Sequence, residues 1–196
     1  MFHKITSAGP SVTQAEIDLV TEAVREGWGE KMNYYIDQFI EEFSAYVGID
    51  YCLPTSHCND ALHLAMLAME IEPGDEVIVP TLTFIAPINA ICHNNAIPVF
   101  MDADNYYNMD AEKTIDFIRK ETIYKDGFTY NKITHNKISA ILPVHVWGNA
   151  CFFDELVELF MERNIAIVED ASESLGTFYN DGKLPECRYY ILAEYS

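Results

Sequence analysis

Two adjacent carboxylates, Glu169 and Asp170, close an apolar run that starts at Ile165 and reads I-A-I-V-E-D-A-S-E-S-L-G through Gly176. A run without polar alternation suits a strand buried on both faces, as in a parallel sheet covered by helices. In open α/β sheets, ligands bind outside the carboxyl ends of the strands. Asp170 is therefore expected where a carboxylate faces a bound ligand; the plainer alternative for a lone aspartate is a cap on the following helix. His145 ends a second apolar run, residues 138–144. It is read either as lining the same site or as a packed, hydrogen-bonded histidine.

Other reactive residue types carry less. Cys52, His57, Cys58 and His63 are metal-ligand types, yet their spacing matches no standard zinc pattern. A helix also sends His57 and His63 in different directions, so no metal site is expected. There is no G-x-S-x-G elbow, no P-loop and no G-x-G-x-x-G. The acidic stretches 102–104 and 110–116 read as a solvated face.

The elements that must position these residues alternate. Thr13-Gln14-Ala15-Glu16 is a capping-box pattern opening a helix that Gly27-Trp28-Gly29 ends. A second helix is expected over 34–47, stopped by Gly48, then a short strand at 51–53 and a helix over 59–69. Strand 76–79, helix 84–94, strand 98–101 and helix 110–119 follow. Residues 120–137 are polar and aperiodic, which suggests an exposed excursion. Strand 138–144, helix 152–163 and strand 165–169 complete the series. Alternation of this kind implies βαβ units and a mostly parallel sheet in one three-layer α/β/α domain.

Composition sets the bounds. The chain has 196 residues, of which 49% are hydrophobic, enough for a globular core. A net charge of -19 argues against nucleic acid or an anionic membrane as partner, since both need clustered Lys and Arg. No segment reads as a signal peptide or membrane span. The five cysteines are odd in number and scattered, which with no export signal fits reduced thiols in a cytoplasm.

Four stretches, in this order, carry a resemblance: Gly27-Trp28; P-G-D-E-V-I-V-P at 73–80 with Thr83-Phe84; P-V-H-V-W-G at 143–148; and V-E-D-A at 168–171. Over roughly residues 5–182 the chain resembles the DegT/DnrJ/StrS-type sugar aminotransferases, pyridoxal phosphate enzymes of the aspartate-aminotransferase fold. The resemblance implies pyridoxal 5'-phosphate as cofactor and transfer of an amino group from an amino acid such as glutamate to a nucleotide-linked keto sugar. Products of such enzymes serve surface polysaccharide or antibiotic pathways. It implies a homodimer when the enzyme is complete.

The resemblance also assigns roles. Asp170 matches the aspartate that pairs with the pyridine nitrogen and keeps the ring protonated as an electron sink. Phe84 matches the aromatic that stacks on the ring. His57-Cys58-Asn59 stands where the family has Ser-Gly-Thr at the helix start that holds phosphate, so Cys58 and Asn59 are expected at the phosphate. Asn59 is read equally as a simple helix cap. Glu173 stands where the family usually has Gln, near the phenolic oxygen, and His145 lies in a family motif.

The pattern then departs. In the family the Schiff-base lysine lies two strands beyond the V-E-D-A segment. Here Lys183 is the only lysine after Asp170. It falls in a polar turn and is not assigned that role. Residues 1–183 read as the N-terminal part of the cofactor-binding large domain and 184–196 as an unmatched tail. The small domain is expected to be absent, as an early stop or a frameshift would leave it. The expectation is no transaminase activity from this chain alone. The alternatives are a non-catalytic cofactor-binding or subunit-interaction module, and a non-functional fragment.

Overall fold

The computed structural model describes residues 11–151, 154–177 and 190–191. The chain forms two compact units, one ending at Pro54 and one starting at Thr55. In the first, α1 (Gln14–Glu26) begins where the Thr13 N–H donates to the Glu16 carboxylate at 2.6 Å. α2 (Tyr34–Val47) ends at Gly48, whose φ of 80° is the left-handed C-cap that glycine adopts without strain. The strand expected at 51–53 does not form: Tyr51 and Leu53 are exposed and unpaired with any described strand. A β-favouring triplet with no partner strand gains nothing from extended pairing.

The second unit is built on β1 (Glu76–Pro80), β2 (Ile97–Met101), β3 (Thr122–Lys125), β4 (Phe128–Asn131), β5 (Lys137–Ile141) and β6 (Ala166–Ile167). The order is β2-β1-β5-β4-β3, with β6 also pairing β5. The β1–β2, β1–β5 and β5–β6 pairs are parallel; β3–β4 and β4–β5 are antiparallel. Helices α3 (Cys58–Ala68), α4 (Ile85–His93), α5 (Ala111–Glu121) and α6 (Asp154–Glu162) cover the sheet.

Side-chain alternation along the strands makes the three layers. Val77 and Val79 of β1, with Ala140 of β5, join Leu62 and Met66 of α3 and Ala90 and Ile91 of α4 in one buried cluster. Ile78, Ile138 and Ile141 point the other way, into a second cluster with Ile115 and Ile118 of α5 and Leu156, Leu159 and Phe160 of α6. Each fully buried aliphatic side chain contributes about 1.5–3 kcal/mol.

Residues 120–137 are not an irregular excursion. They complete α5 and add the β3–β4 hairpin to the sheet. Asp126 and Gly127 both have positive φ, 53° and 85°, the two-residue loop whose twist matches a hairpin. The hairpin is tied to the start of β1 by a buried polar knot. Glu76 Oε2 accepts from Asn131 Nδ2 at 2.8 Å, and Glu76 Oε1 accepts from Thr134 Oγ1 at 2.5 Å and from Asn136 Nδ2 at 3.4 Å.

The 165–169 run is also divided. β6 leaves β5 after Ile167, and β7 (Glu169–Asp170) pairs in parallel with β8 (Tyr190–Ile191). No helix among the described residues is long and apolar enough to cross a membrane.

Candidate functional site

At the carboxyl ends of β1, β5 and β7 lies a cavity of about 250 Å³. Leu82, Thr83 and Phe84 after β1, Val144, Val146 and Trp147 after β5, and Asp170, Ser172 and Glu173 at β7 line it, with Cys58 from the start of α3. Four residues singled out in the sequence, Cys58, Phe84, Asp170 and Glu173, therefore meet at one place, although 115 positions of chain numbering separate Cys58 from Glu173.

Asp170 is fixed by its backbone. Its N–H donates to Pro143 O at 2.9 Å, its C=O accepts from His145 N–H at 3.1 Å, and Ile191 pairs it on the other side. The residue is buried, 4% exposed. Oδ1 accepts from Ser172 N–H at 3.1 Å and from the Ser172 hydroxyl, and Cys58 Sγ lies 4.0 Å away. Burial pushes the Asp170 carboxyl above the usual aspartate range; the Ser172 bonds oppose that, and Glu173 adds to it. Asp170 does not cap a helix: a short turn follows it, not a helix.

Cys58 is the first residue of α3, after His57 as N-cap. Its Sγ sits 3.2 Å from Ser172 Oγ. Burial pushes this thiol up to about 11; the Ser172 hydrogen bond lowers it and the Asp170 charge raises it further. Asn59 falls inside the first turn and not at the cap, so the capping reading fails for it. Its Oδ1 is buried without a hydrogen-bond partner among the described residues, and it is not part of the cavity wall. Phe84 is the N-cap residue of α4, is 63% exposed and lines the cavity.

His145 is buried, its Nδ1 accepts from the Cys151 N–H at 3.2 Å, and its Nε2 lies 3.8 Å from Glu169 Oε2. It does not line the cavity. Lys183 lies outside the described residues. Among the described residues no group of three or more His, Cys, Asp or Glu is placed to hold a metal ion.

Seven wall residues had been given no role of their own from the sequence, among them Ser172, Thr83 and Trp147. Ser172 had a signal, since a polar residue two positions after an aspartate invites an Asx turn. Thr83 lines the cavity with a buried hydroxyl that has no partner among the described residues. Trp147 adopts φ 54°, a conformation that no pattern in the sequence announces.

The arrangement is a pocket with an apolar ring on one wall, a buried carboxylate on another and a helix N-terminus opening onto it. The family model of the DegT/DnrJ/EryC1/StrS aminotransferases matches residues 10–189. The chain belongs to that family. As a DegT/DnrJ/EryC1/StrS member it is 38% identical over 170 residues to the GDP-perosamine synthase of Escherichia coli O157:H7, covering 87% of this chain and 43% of that protein. It is 33% identical over 178 residues to the spore coat polysaccharide biosynthesis protein SpsC of Bacillus subtilis (strain 168), covering 90% of this chain and 41% of that one. Among solved structures, the PMP-form of the putative sugar aminotransferase Spr1654 from Streptococcus pneumoniae superposes with a TM-score of 0.74 at 27% identity, over 91% of this chain and 45% of that one. The same Streptococcus pneumoniae protein is also known in a PLP-form. The chain thus spans less than half the length of these relatives.

Proposed function

We propose that these residues form the cofactor-binding part of a pyridoxal-phosphate-dependent aminotransferase acting on a nucleotide-linked keto sugar. The observation that carries it is the meeting of Phe84, Asp170 and the α3 N-terminus on one cavity. Each part fits one portion of pyridoxal phosphate. The first N–H groups of α3 have no partner within the helix and face negative charge favourably, so they suit the phosphate. The Phe84 ring suits the flat pyridine. Ser172 and Cys58 both address Oδ1 of Asp170, which leaves Oδ2 for a ring N–H. The orphaned Thr83 hydroxyl supplies a further polar contact on the wall.

When bound, the cofactor supplies an electron sink for chemistry at the carbon bearing the amino group. The chain's own residues bind and orient it. Asp170, as carboxylate, holds the ring nitrogen protonated. Burial makes that carboxylate costly when nothing positive faces it, and a pyridinium N–H offsets the cost.

GDP-perosamine synthase and a dTDP-amino-sugar transaminase among the relatives support the sugar-nucleotide class. Within the 196 residues, no lysine other than Lys183 follows Asp170. To these 196 residues by themselves we assign cofactor binding without turnover. The test is pyridoxal phosphate titrated into the purified chain, with borohydride reduction and peptide mapping. Saturable binding that weakens in Asp170→Asn and Phe84→Ala, with no lysine trapped, is expected. Binding that neither substitution affects would overturn the site. Glutamate-driven turnover that requires Lys183 would overturn the assignment of binding alone.

A further inference from the structure

The loop after β5 carries a strained residue. Trp147 is bulky, non-glycine, and left-handed at φ 54°, next to Gly148 at φ 79°. An L-residue there costs on the order of 1–2 kcal/mol unless its surroundings hold it. What holds it comes from the other loop of the cavity. Glu173 Oε2 accepts from the Trp147 N–H at 2.6 Å. Thr177 Oγ1 donates to Gly148 O at 3.0 Å. The two loops approach so closely that a Cβ on Gly148 would sit 3.0 Å from Glu173 O. Held this way, the Trp147 side chain stands 67% exposed at the cavity wall, with Tyr107 edge-on to it at 4.8 Å between ring centroids.

We propose that Glu173 is a positioning residue: its carboxylate clamps the Trp147 turn, and so sets that part of the cavity wall, instead of addressing the cofactor's ring oxygen. This rests on the cofactor reading above. It also explains why a charge is tolerated at this position. The carboxylate is used as an acceptor for a main-chain N–H, a bond that is stronger when the acceptor is ionised. A glutamine amide oxygen can make the same bond, whereas alanine cannot.

The first arm of the test needs no cofactor. Amide hydrogen exchange of Trp147 is measured by NMR in the 196-residue chain. Glu173→Ala is expected to speed it about tenfold or more, as loss of one charge-assisted hydrogen bond implies, and Glu173→Gln to restore it. Unchanged exchange in Glu173→Ala would overturn the clamp. In the second arm, Glu173→Ala and Gly148→Ala each weaken pyridoxal phosphate binding by about tenfold. Glu173→Gln leaves both the affinity and the pH midpoint of the bound cofactor's absorbance in place. A midpoint moved by Glu173→Gln would mean direct contact with the ring oxygen and would overturn the proposal. If the unaltered chain takes up no pyridoxal phosphate, the cofactor reading falls, and the exchange arm still decides whether the clamp exists.

Discussion

Ser172 and Asp170 form a closed turn in which both the main-chain N–H and the hydroxyl of Ser172 donate to Oδ1 of Asp170. Those bonds only partly offset the burial that pushes the carboxyl above its ordinary range. The sign of the pH effect follows. Below the ordinary aspartate value near 3.8, both folded and unfolded chains hold the proton and there is no penalty. As pH rises above it, the unfolded chain loses the proton first, so stability falls until the folded carboxyl has ionised too. Asp170→Asn is expected to raise the urea midpoint of the cofactor-free chain at pH 7, with the gain disappearing near pH 3. The same substitution should weaken pyridoxal phosphate binding by at least about tenfold, because a charged acceptor is lost. A substitution that lowers stability at pH 7 would contradict the burial argument.

Phe84 contributes differently. It lines the cavity and is 63% exposed, so truncation removes a wall residue and little core. Phe84→Ala should weaken cofactor binding by about two- to tenfold, the range of an aromatic contact of about 0.5–1.5 kcal/mol. The urea midpoint should barely move. Equilibrium dialysis and denaturation on one preparation separate the two effects.

Cys58 should be a poor nucleophile despite its place at the wall. Its thiol is pushed up to about 11 from the ordinary value of 9.0. At pH 8 its thiolate is scarcer by on the order of a hundredfold. Iodoacetamide should therefore modify the exposed Cys92 well before Cys58, read by peptide mass at timed intervals. Asp170→Asn should speed Cys58 modification modestly, since the Asp170 charge is one cause of the shift.

The Glu76 knot lies at the opposite end of β1 from the cavity. Glu76→Ala strands three donors, from Asn131, Thr134 and Asn136, and should cost about 2 kcal/mol or more of stability. Pyridoxal phosphate affinity should stay within about twofold of the original, well inside the effect of one hydrogen bond. A large loss of affinity would show that the sheet transmits changes from one end to the other.

The alternating elements were legible because each strand of the central sheet is an apolar run bounded by turn residues, and each helix has an apolar face. The hairpin at 122–131 was not, because the positions it buries, Thr122, Thr129 and Asn131, are polar and leave no apolar alternation to read. Asp126-Gly127 was the available signal. At the site, residue type and segment order brought out Asp170, Phe84, Cys58 and Glu173. What they could not show was how the Glu173 carboxylate is used, since its partner is a main-chain N–H 26 residues away. His145 was left between two readings; it is buried, 3.8 Å from the Glu169 carboxylate.

Among the described strands β2 ends the sheet, and it carries a proline. The Ile97 N–H donates inward to Asp75 O and the Met101 carbonyl accepts inward from Thr81, so residues 97, 99 and 101 face β1 and Pro98 faces away. The missing N–H of Pro98 thus falls on the outer rim, where an incoming strand would have sought it, and costs the sheet no bond of its own. With Ile97 and Phe100 exposed on the same strand, that gap works against self-association. Pro98→Val should keep the fold and the cofactor affinity while raising the aggregate fraction in light scattering. A single imino acid thereby makes this rim a poor template for a further strand.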